Sequence, residues 1–211
     1  MKELDRIRVS AVLAADADLQ VRLSAPAQRD TALDQGPDPG PVQGLERVPL
    51  QDAAVETVHD GQPHSAYGVE FQIEDGWLTT RLPSGRKLWY YDPRPVLVSV
   101  PWDDAILKRS YSYSAQKTGR WIRVKAYGGI ITENVVQALA RDLMVHAMFI
   151  CEREHMPIVL TVHDEIVCEV DDNGQDWAKM LQQIMEDQPQ WAIDMQVPVT
   201  AECWQGTRYH K

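Results

Sequence analysis

Two adjacent acidic residues interrupt the most apolar stretch of the chain. Asp164 and Glu165 follow His163 between the runs "VLTV" and "IVCEV", which have the length and β-branched content of buried strands. The pattern predicts a hairpin with strands at 158–163 and 166–170 and with the two acids at its tip. Tight turns of this size favour Gly or Asn, and Glu fits them poorly. A departure from the local turn rule indicates a functional site.

Carboxylates held on a rigid hairpin tip are suited to a divalent metal. Mg²⁺ prefers a few hard oxygen ligands and shares the rest of its coordination shell with water and phosphate. In phosphoryl transfer, two such ions about 4 Å apart stabilise the attacking and leaving oxygens together. One segment seldom supplies every ligand, so a second acid is expected from elsewhere. The alternatives are a solvated turn that happens to carry acids and, for His163, a hydrogen-bonded core histidine.

A long amphipathic helix is predicted before this hairpin. In "TENVVQALARDLMVHAMFICEREH" the apolar residues recur at helical spacing, and Thr132 is expected to be the N-cap. The polar side of this helix carries Gln137, Arg141 and Asp142.

The residues after the hairpin complete a small α+β unit. A second amphipathic helix is predicted over about 175–187, with Trp177, Met180, Leu181, Ile184 and Met185 on its buried side, and a strand is predicted over 197–202. The order helix, strand, strand, helix, strand predicts helices on one face of an antiparallel sheet.

The first half of the chain reads as an N-terminal segment, a linker, a short helix and a β-meander. Residues 1–24 are expected to form a short helix, and 25–44, rich in Pro and Gly, a flexible linker. A helix is predicted over 49–61, between a proline and a glycine. The stretch "YGVEFQIEDGWLTTRLPSGRKLWYY" alternates like strands, with turns at "DG" and "PSG".

Composition bounds the class of protein. The 211 residues carry a net charge of −10, which argues against a free-standing nucleic-acid binder. The three cysteines form no CxxC motif, and neither a signal peptide nor a stretch of about 20 apolar residues is present. The expectation is a cytoplasmic protein that does not enter a membrane.

Several motifs together resemble the C-terminal part of the palm of a family A DNA polymerase of the phage type. "VHDEIVCEV" resembles motif C, "KAYGGIITENVVQALARDLMVHAM" the preceding helix, and "RLPSGRKLWYYDPRPV" a phage-type β insertion. "ECWQGTRYHK" resembles the C-terminus of such enzymes. The resemblance runs from about residue 48 to 211. It implies a palm portion over 45–211, with the β insertion at 68–100 and the motif C core at 132–211.

The resemblance also implies roles for single residues. Asp164 is expected to be the catalytic carboxylate that binds metal, and Glu165 an auxiliary acid beside it. The residues expected to contact DNA are His163 at the primer terminus, Gln137 in the minor groove, and Asn134, Arg141 and Arg123. For Arg123 the alternative is an ordinary solvated basic strand.

Two motifs that the resemblance requires are not found in the chain. Family A polymerases need motif A, which supplies a second metal-binding carboxylate, and motif B, which binds the incoming nucleotide. The prediction is therefore a subunit of a split DNA-directed DNA polymerase, with motifs A and B on a partner chain. A two-ion Mg²⁺ site shared with that partner, primer-template DNA and dNTP follow from it.

The remaining features are assigned from that prediction. Residues 1–44 would act as a tether or docking arm, and Trp77, Trp89 and Trp102 either anchor an interface or pack the β insertion. Two other functions stay open. One is a non-catalytic polymerase remnant that binds or regulates a replication protein, and the other is a free-standing metal-dependent phosphatase or nuclease.

Overall fold

The computed structural model of the chain describes residues 6–14, 50–100, 103–126 and 129–209. The predicted linker and Trp102 lie outside the described residues. The described part is a mixed α+β structure with two antiparallel sheets. The strands are β1 (Arg6–Ala14), β2 (His64–Ala66), β3 (Val69–Glu74), β4 (Trp77–Arg81), β5 (Lys87–Val100), β6 (Asp103–Lys117), β7 (Arg120–Ala126), β8 (Ile158–Val162), β9 (Glu165–Asp171) and β10 (Thr200–Gly206). The helices are α1 (Leu50–Asp60), α2 (Ile130–Arg153), α3 (Trp177–Glu186) and α4 (Gln190–Asp194).

The described residues divide into two compact units, and the division falls within α2, between Asn134 and Val135. One unit combines β1 with the chain from Val135 onward, and the other contains α1 and β2 to β7. None of the described helices combines the length and the apolar character that a membrane crossing requires.

β1 is a central strand of the first unit, whose sheet has the order β10-β1-β9-β8. The helix predicted for 1–24 is therefore wrong over the described residues 6–14. Ile7, Val9, Ala11 and Leu13 are all buried, and they alternate along the chain. Apolar burial with a period of two residues is the pattern of a strand. The high helix propensity of Ala and Leu is outweighed because both edges of β1 find strand partners, β9 and β10.

α2 confirms the long predicted helix but begins earlier than expected. It starts at Ile130, and the Glu133 N–H already bonds to the Gly129 carbonyl at 2.9 Å. Thr132 therefore lies in the first turn, 97% buried, and is not the N-cap. The buried face of α2 in this unit consists of Val135, Val136, Ala138, Leu139, Leu143, Met144, Ala147 and Cys151.

α3 confirms the second predicted helix. The Asp176 side chain caps it by accepting a hydrogen bond from the Lys179 N–H at 3.0 Å. Leu181, Ile184 and Met185 are buried as predicted, and α3 contacts β1 and β10. Trp177 and Met180, predicted on the same side, are only partly buried.

The end of the chain differs from the prediction. The short helix α4 was not predicted, and β10 runs from Thr200 to Gly206 rather than over 197–202. Val197 is buried, but its N–H closes the end of α4 by bonding to the Ala192 carbonyl. Its burial in a helix-end turn explains why an apolar residue there was mistaken for the start of a strand.

The second unit is a meander, as predicted. Strands β2 to β7 lie side by side in sequence order, and α1 packs on β2, β3, β5 and β6. The turn at Asp75-Gly76 has positive φ at both residues, 48° and 81°, as a type I′ hairpin requires. The sheet continues to Ala126, beyond the expected insertion at 68–100.

Candidate functional site at the β8–β9 turn

The turn between β8 and β9 consists of His163 and Asp164. Val162 and Glu165 form the last strand pair, so Glu165 is the first residue of β9. The prediction that placed His163 in the strand and Glu165 in the turn was wrong by one residue. His163 has φ 52°, in the left-handed region that favours glycine. His163 is therefore held in a strained conformation.

Both oxygens of the Glu165 carboxylate accept hydrogen bonds within the protein. Glu165 is 96% buried, and its Oε1 accepts a short hydrogen bond from the Ser10 hydroxyl. Its Oε2 accepts a hydrogen bond from the Tyr209 hydroxyl at 2.9 Å. This hydrogen bond to Glu165 raises the pKa of Tyr209. Glu165 therefore ties β9 to β1 and to the residues after β10.

Asp164 is partly exposed, and its backbone is fixed by β1. The Leu13 N–H donates to the Asp164 carbonyl oxygen at 3.0 Å. The turn is thus attached to β1 twice, through this backbone bond and through Ser10 and Glu165. Such double attachment holds a carboxylate in place, which a site for metal or substrate needs.

The turn and α2 together line one cavity of about 420 Å³. The α2 residues in its wall are spaced by three or four positions, so they share one side of the helix. Four residues expected at the site, two from α2 and two from the turn, are brought together here. The lining residues are Gln137, Ala140, Arg141, Met144, His163 and Asp164.

The walls of this cavity differ in charge. Arg141 is exposed on the helix side, where its Nη1 approaches the Met144 sulfur at 3.2 Å, and Asp164 lies on the turn side. A cation and a carboxylate across one opening can bind a phosphate and a metal ion, respectively.

The described residues fit a metal ion only in part. They contain no group of three or more His, Cys, Asp or Glu side chains that could hold one. Asp164 has the hard oxygen donors that Mg²⁺ prefers, and a Mg²⁺ ion in a phosphate site commonly takes only one or two carboxylates. Glu165 does not fit, because both its oxygens accept hydrogen bonds from protein side chains.

Besides Glu165, two residues expected at the site do not line the cavity, and both make structural contacts in the second unit. The Asn134 Nδ2 donates to the Tyr90 hydroxyl at 3.1 Å, and burial raises the pKa of Tyr90 to about 12. Arg123 lies on β7 and pairs with Asp92.

Sequence reasoning missed Ser10 and Tyr209. Ser10 interrupts the apolar residues of β1 between Val9 and Ala14, a signal that was hidden when the segment was interpreted as a helix. Tyr209 stands among the polar residues of the C-terminal tail, where its 44-residue separation from Glu165 gives no local signal.

Comparison with known proteins finds a similarity to a DNA polymerase. No protein-family model matches the chain. The chain is similar to a phage DNA polymerase. Over 164 residues it is 32% identical to the DNA polymerase of Bacillus phage SP02, an alignment that covers 77% of this chain and 24% of that enzyme. The chain thus spans about a quarter of the length of this relative and is a phage DNA polymerase-like region.

Proposed function

We propose that the chain is the C-terminal palm portion of a family A DNA polymerase and acts as one subunit of a split enzyme. In this proposal β8, β9 and their turn are motif C, and Asp164 is a catalytic carboxylate. The observation that carries the proposal is the cavity that Asp164 and His163 share with Gln137 and Arg141. The similarity to a phage polymerase supports the same assignment.

The four polar residues of the cavity have chemical roles in template-directed nucleotidyl transfer. Gln137 donates to base edges in the minor groove, where purine N3 and pyrimidine O2 are acceptors in every base pair. The Arg141 guanidinium binds a backbone phosphate, and His163 contacts the primer-terminal nucleotide. Most of the rate enhancement in phosphoryl transfer comes from positioning and charge stabilisation, which fixed side chains provide.

Asp164 would hold Mg²⁺ together with ligands from outside the described residues. The ion supplies charge stabilisation at the attacking and leaving oxygens of the transferred phosphoryl group. Glu165 is a positioning residue in this proposal, because its hydrogen bonds to Ser10 and Tyr209 fix the strand that carries Asp164.

The second carboxylate and the nucleotide-binding helix come from a partner polypeptide that carries motifs A and B. Such a partner would also supply basic residues for the DNA backbone, since this chain has a net charge of −10. Two acids of this chain, Asp16 and Asp18, follow β1 in the sequence and lie outside the described residues. Substitution of each by Asn tests whether the second carboxylate comes from this chain.

Reconstitution tests the proposal. The chain and a candidate partner, each purified alone, are assayed separately and mixed for extension of a labelled primer with dNTP and Mg²⁺. Extension that appears only in the mixture is expected. Asp16→Asn and Asp18→Asn are expected to retain activity, and loss of activity in either would move the second carboxylate into this chain.

Two outcomes would contradict the subunit assignment. Full extension by the partner alone would favour the alternative of a non-catalytic remnant. Hydrolysis of phosphate monoesters or of DNA by this chain alone would favour a phosphatase or nuclease.

Arg141→Ala provides a graded control, because loss of one phosphate contact is expected to weaken primer-template binding. It should also reduce the slope of log affinity against log salt by about 0.9.

A further inference from the structure

Four aromatic side chains form a continuous row on one face of the β2–β7 sheet. This aromatic row consists of Trp77 on β4, Trp89 and Tyr91 on β5, and Trp121 on β7. Cross-strand pairing of Trp77 with Tyr91 places those two residues on the same face. Trp121 is 63% exposed, Trp89 51% and Tyr91 42%, so much of the row contacts solvent.

The rings are spaced like a ladder. The Trp77 ring centroid lies 6.2 Å from that of Trp89 and 4.7 Å from that of Tyr91. Tyr91 lies 5.5 Å from Trp121, across β6. The β6 residue between these two is Ser114, which pairs with Tyr91 and with Arg123, and its small side chain leaves room for the two rings to meet.

Packing within the sheet does not account for this row. The opposite face already contains the buried core, including Val69, Phe71, Leu78 and Tyr90. Cross-strand aromatic pairs stabilise a sheet modestly, but that contribution does not require large rings to remain in water. A contiguous exposed apolar patch on a soluble domain more often marks a binding surface.

The region that carries the row has a net positive charge. Residues 64–126 contain ten Lys and Arg against six Asp and Glu, a net charge of +4 in a chain whose total is −10. On β7, Arg123 and Lys125 share the face of Trp121, at alternate positions of the strand. Arg123 and Arg94 both pair with Asp92, so one carboxylate faces two guanidinium groups. Lys125 makes no ion pair with any described residue.

The cations also reach the aromatic rings. The Lys87 ammonium group lies 5.5 Å from the centroid of the Trp89 ring and pairs with Glu74 at 2.6 Å. Exposed rings interleaved with cations are complementary to a ligand that has flat π faces and a regular negative charge. Single-stranded nucleic acid has both, because its unpaired bases stack on aromatic side chains while its phosphates bind Lys and Arg.

We propose that the aromatic row is a binding platform for single-stranded DNA, with bases stacked on Trp89, Tyr91 and Trp121 and phosphates on Arg123 and Lys125. Duplex DNA is not the expected ligand, because its bases are already stacked on each other. The platform is separate from the Asp164 cavity in residues and in chemistry. It rests on the polymerase proposal only for its biological use.

Tryptophan fluorescence of the full chain provides the direct test. Titration with oligothymidylate of about 15 nucleotides, a length within the range of known single-strand sites, is expected to quench the emission saturably. Trp121→Ala and Tyr91→Ala are each expected to weaken binding about five- to a hundredfold, as loss of one base stack does. Trp121→Phe should retain most of the affinity, because a ring remains.

Matched controls separate this site from general charge and from misfolding. Phe149→Ala removes an aromatic ring that is 74% exposed on α2, and Lys179→Gln removes an exposed cation on α3. Both should bind oligothymidylate like the wild type. Lys125→Gln should lower the slope of log affinity against log salt by about 0.7. Circular dichroism shows whether each variant is folded.

The proposal is overturned if the wild-type chain does not bind oligothymidylate, if Trp121→Ala combined with Tyr91→Ala binds unchanged, or if duplex of equal length competes equally well. Capture of a purified partner polypeptide by the row in place of DNA, abolished by the same variants, also overturns it. Failure here is distinguishable from failure of the polymerase proposal. Asp164→Asn should retain oligothymidylate binding. Trp121→Ala should retain primer extension on a DNA substrate in which duplex flanks the primer end.

Discussion

His163 has the least favourable backbone conformation in the candidate site. Its φ of 52° is one that glycine adopts readily and that other residues adopt at a cost of about 1–3 kcal/mol. Because glycine would cost less at that position, we expect that the histidine side chain is needed there. Strain of this kind is found at binding and catalytic sites.

His163→Gly is therefore expected to stabilise the chain and to impair the site. The relief of strain, less the added entropy of the unfolded chain, should raise the free energy of unfolding by about 1 kcal/mol. Urea denaturation measures this change. His155→Gly is a matched control, because His155 also has positive φ, 58°, and ends α2 in an exposed turn.

In the reconstituted complex the two glycine variants should differ. His155→Gly should extend primers like the wild type, whereas His163→Gly should bind the primer end more weakly. Equal activity of the two variants would show that His163 has no role at the primer terminus.

Glu165 and Asp164 are adjacent and are expected to respond differently to truncation. Glu165→Ala leaves the buried Ser10 hydroxyl without its acceptor and should cost about 2 kcal/mol of unfolding free energy. Asp164→Ala removes a partly exposed side chain and should change stability by less than about 0.5 kcal/mol. Urea denaturation compares them, and an equal loss of stability would contradict the assigned positions.

Tyr209 gives a pH dependence. Its hydrogen bond to Glu165 raises its pKa in the folded state. A raised folded pKa means that this bond stabilises the fold fully below the ordinary tyrosine pKa of about 10, and that the stabilisation is lost as pH rises through the folded value. The difference in stability between the wild type and Tyr209→Phe, measured by thermal unfolding, should therefore shrink toward zero only at alkaline pH. A difference independent of pH up to complete tyrosine ionisation would contradict the bond.

The position of Asp164 in the turn was predictable from sequence, and the position of its neighbour was not. Two apolar strands on either side of the acids indicated the hairpin turn. The role of Glu165 depended on the strand register, since a shift of one residue exchanges a solvent-facing side chain for a buried one. No local signal set that register, because its partners Ser10 and Tyr209 are 155 and 44 residues away.

At the scale of elements, β1 explains both the main error and the rigidity of the site. Helices α1, α2 and α3 and the meander were predicted because their patterns are long and local. β1 is defined only by its partners, β9 on one side and β10 on the other, both more than 150 residues away in the sequence. Short segments of mixed propensity take the structure that such tertiary contacts select.

Val9→Pro tests the central position of β1. Val9 is fully buried between β9 and β10, and proline removes a backbone donor from the middle of a sheet. The variant should lose the cooperative unfolding transition of this unit by circular dichroism. Val9→Ala, which keeps the donor, should remain folded and lose about 2 kcal/mol. Normal unfolding of Val9→Pro would show that β1 is dispensable.

At the scale of the whole molecule, charge distinguishes the regions of the chain. The β2–β7 region is positive although the chain as a whole carries −10, so the net charge of the whole chain does not describe this region. The sequence indicated a mixture of helices and strands, and its motifs resemble those of a polymerase. It did not predict that four aromatic residues would form one row, because that requires the register of β4, β5, β6 and β7 together.

The incompleteness of the site also belongs to this scale. One carboxylate, one guanidinium, one amide and one imidazole line the cavity, and the chain aligns with only 24% of its phage relative. The rest of a polymerase site must therefore be supplied from beyond the described residues if the proposal is correct.

Primer extension by the reconstituted complex carrying Asp164→Asn is the most direct measurement. The substitution keeps the size of the side chain and removes its charge, so assembly and oligothymidylate binding should be unchanged. The single-turnover rate of nucleotide addition should fall at least about a hundredfold, because several kcal/mol of transition-state stabilisation depend on that carboxylate. With the adjacent Glu165→Gln, which keeps one acceptor oxygen for either the Ser10 or the Tyr209 hydroxyl, the rate should fall by much less. Wild-type extension by Asp164→Asn would contradict the assignment of Asp164 as the catalytic carboxylate.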